Sequence, residues 1–155
     1  MIRRVFLAAA LALSACASAP SPEENLARSN AFLAENARAE GVQTTASGLQ
    51  YRVVRAASDA DAIRPRAEDI VSVRYRGTFP NGREFDSSTD PIEFPLNRVI
   101  RGWTEGVALM RVGEEYDFFI PPALAYGERG TGDGTIPPNQ ALVFRVELLG
   151  VTRAP

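Results

Sequence analysis

From Gly48 onward, apolar and polar residues alternate in short runs, the period of strands that bury one face. Leu49–Val54 and Ile70–Tyr75 are two such runs. In the second, Val71, Val73 and Tyr75 share a face opposite Ser72, Arg74 and Arg76. Pro80-Asn81-Gly82 predicts a hairpin turn, because Asn-Gly tolerates positive φ. Further strands are expected at Glu84-Phe85, Ile92–Leu96, Tyr116–Ile120 and Ala141–Leu149. The last points Leu142, Phe144, Val146 and Leu148 inward, with Arg145 and Glu147 outward. Once, the period lengthens: Trp103, Val107 and Met110 stand at helical spacing, which predicts a short helix over Trp103–Met110, with Gly113 soon after its end. Many strands and one buried short helix predict an α+β domain over residues 42–155, a curled antiparallel β-sheet wrapped over that helix.

The N-terminus follows a different pattern. Arg3 and Arg4 precede an apolar run from Val5 to Leu13, then Leu13-Ser14-Ala15-Cys16, so residues 1–15 read as a signal peptide. The apolar run covers about 14 Å as a helix, roughly half of a bilayer core, and is too short to span one. The tetrapeptide LSAC resembles the bacterial lipobox, which implies cleavage before Cys16 and lipid attachment to its thiol and amine. Buried acyl chains contribute about 0.8 kcal/mol per CH₂, so several of them hold a protein on a membrane. An ordinary secretory signal with an incidental cysteine is the plainer alternative. Ala17 after the cysteine, rather than Asp, resembles the outer-membrane address of Gram-negative lipoproteins.

Residues 16–22 (CASAPSP) form a small-residue, proline-bearing tether. Ser21-Pro22-Glu23-Glu24 then predicts a helix start, with Ser21 as cap, Pro22 at the first helical position and Glu24 closing a capping box. Good helix formers run on to Glu40 and Gly41 is the expected stop, giving an N-terminal helix over residues 23–41. Its apolar stripe is thin: Leu26, Leu33 and a few alanines, with Phe32 to one side. That predicts a spacer holding the domain off the membrane, in preference to a dimer or partner contact.

Composition narrows the chemistry. The chain has 155 residues, 45% of them apolar and 23% charged, an ordinary globular balance sufficient for one core. All 17 cationic side chains are arginine, set against 19 acids, and no histidine is present. Imidazole bases and lysine Schiff bases are therefore excluded. A lone Cys16 makes neither an internal disulfide nor a zinc site. The scattered, mildly acidic charge offers no footprint for nucleic acid. No metal or cofactor is expected, and the chemistry is left to carboxylates, hydroxyls, backbone and aromatic walls.

Three blocks then carry a resemblance: VRYRGTFPNGREFDSS, VIRGWTEGVALMRVGE and IPPALAYGERGTGDGTIPPNQALVFRVELL. In order and spacing, from about Gly41 to Val151, they resemble the FKBP-type peptidyl-prolyl cis/trans isomerases. The stretch FLAENARAEGVQTTASGLQY resembles the lead-in of bacterial periplasmic and surface members, whose longer N-terminal helices dimerise; here one helix stands in that place.

The resemblance implies a substrate pocket. It assigns Tyr75 from the YRG strand, Phe85 and Asp86 from EFDSS, Ile100 and Trp103 from VIRGW, Tyr126 from AYG and Phe144 from LVFRVELL as the catalytic set. Phe94, Val99 and Ile136 join as substrate contacts. Trp103 is then the floor and Tyr75, Phe85 and Phe144 the walls, while the Ile100 N–H and the Tyr126 hydroxyl point at substrate carbonyls. Proline-containing polypeptides are the implied substrates and macrolides the implied inhibitors. Two positions depart from the pattern: Ile92 stands where an aromatic is common, and Thr135 where an aliphatic residue is common. Singly, each site residue has a plainer reading. Tyr75, Trp103 and Phe144 fit a core, Asp86 a turn and Tyr126 a loop. An FKBP-shaped module that binds proline segments or unfolded chains without turnover is the competing function.

Overall fold

The computed structural model describes residues 19–154. The expected signal peptide and Cys16 lie outside the described residues. Helix α1 spans Pro22–Asn36, followed by β1 (Val42–Thr44), β2 (Gln50–Arg55), β3 (Ile70–Thr78) and β4 (Glu84–Pro95). Helix α2 (Arg101–Val107), β5 (Glu115–Ile120) and β6 (Leu142–Thr152) complete the order. Six antiparallel strands form one sheet in the order β1-β2-β5-β6-β3-β4.

The alternation of β3 and β6 builds the core. Val71, Val73, Leu142, Val146 and Leu148 are fully buried, and Phe144 nearly so. Register places Tyr75 opposite Val146 and Gly77 opposite Phe144, on one face of the sheet. Helix α2 lies against that face through Trp103 and Val107. It approaches closely because Gly102 and Gly106 carry no side chain: a Cβ on Gly102 would come within 2.5 Å of Ile120, and one on Gly106 within 2.6 Å of Phe118. On the opposite face charges pair. Arg145 chelates Asp117 through Nε at 2.8 Å and Nη2 at 3.0 Å, Arg52 reaches the same carboxylate at 2.7 Å, and Arg55 bridges Glu115 and Glu147. Burial works against the Asp117 carboxylate, but the Arg145 and Arg52 hydrogen bonds outweigh it and hold its pKa below the ordinary value.

Several boundaries differ from the sequence reading. The two expected strands Glu84-Phe85 and Ile92–Leu96 are one strand, β4. Ser88 pairs with Tyr75 and Ile92 with Val73, so Thr89-Asp90-Pro91 form a bulge within it. Strand β1 is too short to show alternation, and it pairs with β2. Helix α2 starts at Arg101 and ends at Val107, after which Leu109 and Met110 donate to Gly106 and Val107 in tight turns.

Helix α1 also differs. Its start follows the expected capping box, with Ser21 Oγ accepting from the Glu24 N–H and the Glu24 carboxylate accepting from the Ser21 N–H. It ends at Asn36 rather than running through residue 41. Arg38 and Ala39 close i→i+3 turns onto Glu35 and Asn36, and the Asn36 side chain donates to Gln50 instead. Nor is it a free spacer. Asn25, Ser29 and Leu33, one i, i+4, i+8 stripe, are buried against the domain, while Leu26 is 40% exposed. Leu33 and Phe32 pack on Phe119, Ala141, Val42 and Val143.

Candidate active site

An open cavity of about 440 Å³ lies between α2, the loop before it and the bulged end of the sheet. Its lining is Tyr75, Asp86, Phe94, Arg98, Val99, Ile100, Trp103, Tyr126 and Phe144. The aromatic members hold one another edge to face. Trp103 meets Tyr75 at 5.3 Å between ring centroids, Phe144 at 5.4 Å and Phe94 at 5.8 Å, with interplanar angles of 88°, 88° and 83°. Such pairs contribute about 0.5–1.5 kcal/mol each beyond burial and fix ring orientation. With Trp103 only 4% exposed beneath them, the rings form a rigid apolar box.

Local backbone explains the box. β3 carries Tyr75 and β6 carries Phe144 on the same sheet face. Between them Gly77 leaves the space the rings occupy: a Cβ there would sit 2.7 Å from Phe85 and 2.8 Å from Phe144. Leu96, Asn97 and Arg98 make one 3-10 turn, with the Leu96 N–H bound to the Asp69 carbonyl and the Leu96 carbonyl to Thr104 Oγ1. This turn delivers Val99 and Ile100 to the mouth of the cavity. Ile100 is the N-cap of α2 and its carbonyl receives the Trp103 and Thr104 N–H groups. Its own N–H makes no hydrogen bond to another described residue.

Polar atoms are few and placed at the rim. The Tyr75 hydroxyl donates to Asp86 Oδ2 at 2.7 Å. Burial first, then the Asp86 hydrogen bond and charge, push the Tyr75 phenol well above its ordinary pKa. Tyr126, 42% exposed, is raised too, by burial and then by the charges of Asp86 and Asp133. Beyond Tyr126 the loop closes on itself: Thr131 N–H donates to the Ile136 carbonyl, Ile136 N–H to Thr131 Oγ1, and Asp133 accepts from Thr131 and Thr135. Those donors hold Asp133 at a pKa of about 2.

Of the residues assigned from sequence, Phe85 and Ile136 do not line the cavity. Phe85 meets Phe144 edge-on at 5.4 Å and packs against Phe79. Ile136 is 3% exposed and belongs to the core beneath the loop. The other eight converge on the cavity, and Arg98, which the sequence reading left out, joins them. Its signal was available: it directly precedes VIRGW, on the segment that presents Ile100. Ile92 and Thr135 are both exposed and outside the lining.

The family model described as FKBP-type peptidyl-prolyl cis-trans isomerase matches residues 61–149. A second, described as the domain amino terminal to FKBP-type peptidyl-prolyl isomerase, matches residues 6–53. The FKBP-type peptidyl-prolyl cis-trans isomerase FkpA of Aeromonas hydrophila is 52% identical over 133 residues, which are 84% of this chain and 48% of that protein. The outer membrane protein MIP of Legionella longbeachae is 41% identical over 135 residues, 85% of this chain and 56% of that one. The chain spans about half the length of the curated relatives it matches. A peptidyl-prolyl cis-trans isomerase from Pseudomonas syringae pv. tomato superposes with a TM-score of 0.81 at 34% identity, over 88% of this chain and 99% of that one. The box of rings, the Tyr75–Asp86 bond and the match in sequence and fold agree: the chain belongs to the FKBP-type peptidyl-prolyl cis-trans isomerase family.

Proposed function

We propose that this protein accelerates cis/trans isomerisation at Xaa-Pro bonds of extracytoplasmic polypeptides and so assists their folding. The observation that carries this reading is an aromatic box with an uncommitted backbone donor, the Ile100 N–H, at its mouth. A proline ring fits over Trp103 between Tyr75, Phe94 and Phe144. Ile100 N–H then donates to the neighbouring substrate carbonyl, the Tyr126 hydroxyl to another, and Asp86 fixes Tyr75 in the wall. Phe85 and Ile136 act from outside the lining by holding Phe144 and the loop.

The reaction suits a site without a base or a nucleophile. An Xaa-Pro amide rotates behind a barrier of about 18–20 kcal/mol and takes tens to hundreds of seconds unaided. Rotation breaks no covalent bond and moves no proton. The planar amide is more dipolar than the twisted one, so an apolar enclosure disfavours the ground state, and the fixed donor selects the twisted geometry. A thousandfold acceleration takes about 4 kcal/mol, within reach of a few oriented contacts.

A protease-coupled Xaa-Pro peptide assay on the full chain tests the reading. Expected are catalysed turnover, block by a macrolide ligand of the family, and a loss of roughly two- to tenfold for Tyr75→Phe, which deletes one hydrogen bond of about 0.5–1.5 kcal/mol. A raised phenol pKa favours the neutral form in the folded state. Its contribution is whole below the ordinary value of about 10 and lost as pH climbs through the raised one. Tyr75 and Tyr126 therefore stay neutral, and turnover should hold level from about pH 7 to about pH 9.5. A folded chain that binds the macrolide but leaves the uncatalysed rate unchanged would replace the enzyme with a binding or chaperone module.

For location, the reading is the bacterial cell envelope, with attachment through lipid on Cys16, at the outer membrane facing the periplasm. The LSAC tetrapeptide and Ala17 support it, as does likeness to a protein named as an outer membrane protein. Mass spectrometry of the N-terminal peptide from cells should show a diacylated or triacylated Cys16; an unmodified, processed N-terminus would sink the anchor.

A further inference from the structure

We infer that helix α1 is a brace for the loop that borders the cavity, and that Ser29 and Asn139 are positioning residues for Tyr126. The inference rests on the proposed use of this cavity and adds an element outside it.

The loop returns to the sheet through Ile136-Pro137-Pro138-Asn139-Gln140. Two prolines in succession remove two backbone donors, so this stretch cannot build a ladder of its own. Its polar atoms turn to α1 instead. Asn25 Nδ2 donates to the Pro138 carbonyl at 2.6 Å. Ser29 Oγ donates to the Asn139 carbonyl at 2.8 Å and accepts from the Ala141 N–H at 2.8 Å. Asn139 Nδ2 closes the set onto the Pro22 carbonyl at 3.1 Å. Asn25 is 5% and Ser29 2% exposed, so the bonds of these two side chains are largely shielded from water, and an abandoned partner there is costly.

Asn139 passes the hold onward. Its φ of 56° is the one positive value at a non-glycine residue among those described, a conformation that surroundings must impose. In that conformation its N–H donates to the Gly127 carbonyl at 2.8 Å, next in chain to Tyr126. The path is thus short and contiguous: Ser29, the Asn139 carbonyl, the Asn139 N–H, Gly127, Tyr126. A second tie at the far end of α1, Gln50 Nε2 to the Leu33 carbonyl, fixes the helix itself to β2.

The test uses the full chain and two readouts. By amide exchange, the Asn139 N–H of Ser29→Ala should exchange at least about tenfold faster, with α2 amides unchanged. By peptide kinetics, Ser29→Ala should lower kcat/KM about three- to tenfold, chiefly through KM. Ser29→Thr, which keeps the hydroxyl, should restore most of it. In a Tyr126→Phe background the Ser29→Ala effect should shrink, because both act through one hydroxyl. Unchanged exchange and kinetics in a folded Ser29→Ala, or full additivity with Tyr126→Phe, overturns the inference. If Ser29→Ala does not fold, Asn25→Ala, which deletes the tie from α1 to the adjoining Pro138 carbonyl, decides by the same readouts. A wild-type chain without turnover would sink the isomerase reading alone, since exchange at Asn139 still reports on the brace.

Discussion

The two helices attach to the same sheet by opposite means. Helix α2 docks through Trp103 and Val107, and through glycines that let its backbone touch Phe118 and Ile120. Polar ties add to this, from the Thr45 and Ser47 hydroxyls to the Glu105 carboxylate and from Thr104 Oγ1 to the Leu96 carbonyl. Helix α1 is twice as long, yet the stripe it buries begins with Asn25 and Ser29, and only Leu33 and Phe32 give it an apolar end. Burial is non-directional and roughly proportional to area, whereas hydrogen bonds are directional and modest in net worth. The first arrangement contributes stability. The second contributes placement, of one loop relative to one helix, with less stability at stake.

Substitutions can break that contrast. The largest effect should come from Trp103→Ala, which empties the box and the α2 contact together: about 3–5 kcal/mol in denaturant unfolding. Gly106→Ala should follow at about 1–3 kcal/mol, since its new methyl group meets the fully buried ring of Phe118. On α1, Asn25→Ala leaves the Pro138 carbonyl unpaired and should cost about 1–2 kcal/mol by thermal melting. Leu26→Ala should change stability by less than about 0.5 kcal/mol, because Leu26 faces solvent. If Leu26→Ala proved as damaging as Asn25→Ala, α1 would have an apolar partner that the isolated chain does not show, and the contrast would fall.

The same contrast explains what could be read before folding. Val71, Val73, Leu142, Val146 and Leu148 announce their strands because hydrophobic alternation is the signal that burial leaves in a sequence. Trp103 and Val107 announce α2 for the same reason. Asn25 and Ser29 left no such trace: a polar residue facing the domain looks like one facing water until its partner is in view. Leu26, read as part of the apolar stripe, turned out to face outward. Strand β4 was read in two pieces because Thr89-Asp90-Pro91 resembles a loop and is a bulge. The cavity was legible through Tyr75, Trp103 and Phe144, which sit on well-patterned elements. Arg98 carries no periodic signature as an exposed cation on a 3-10 turn, and only its place next to VIRGW marks it. Phe85 and Ile136 fall outside the lining, because sequence blocks do not separate a wall from what packs against it.

Trp103 has one more consequence. It is the single tryptophan of the chain, and it lies at the base of the cavity with 4% of its surface exposed. The intrinsic indole emission of this protein is therefore a local spectroscopic signal: excitation at the red edge reads the cavity floor and nothing else. A ring settling above it should alter intensity before any global change, while unfolding should move the emission maximum toward that of solvated indole. Occupancy and unfolding become separable in one unlabelled sample.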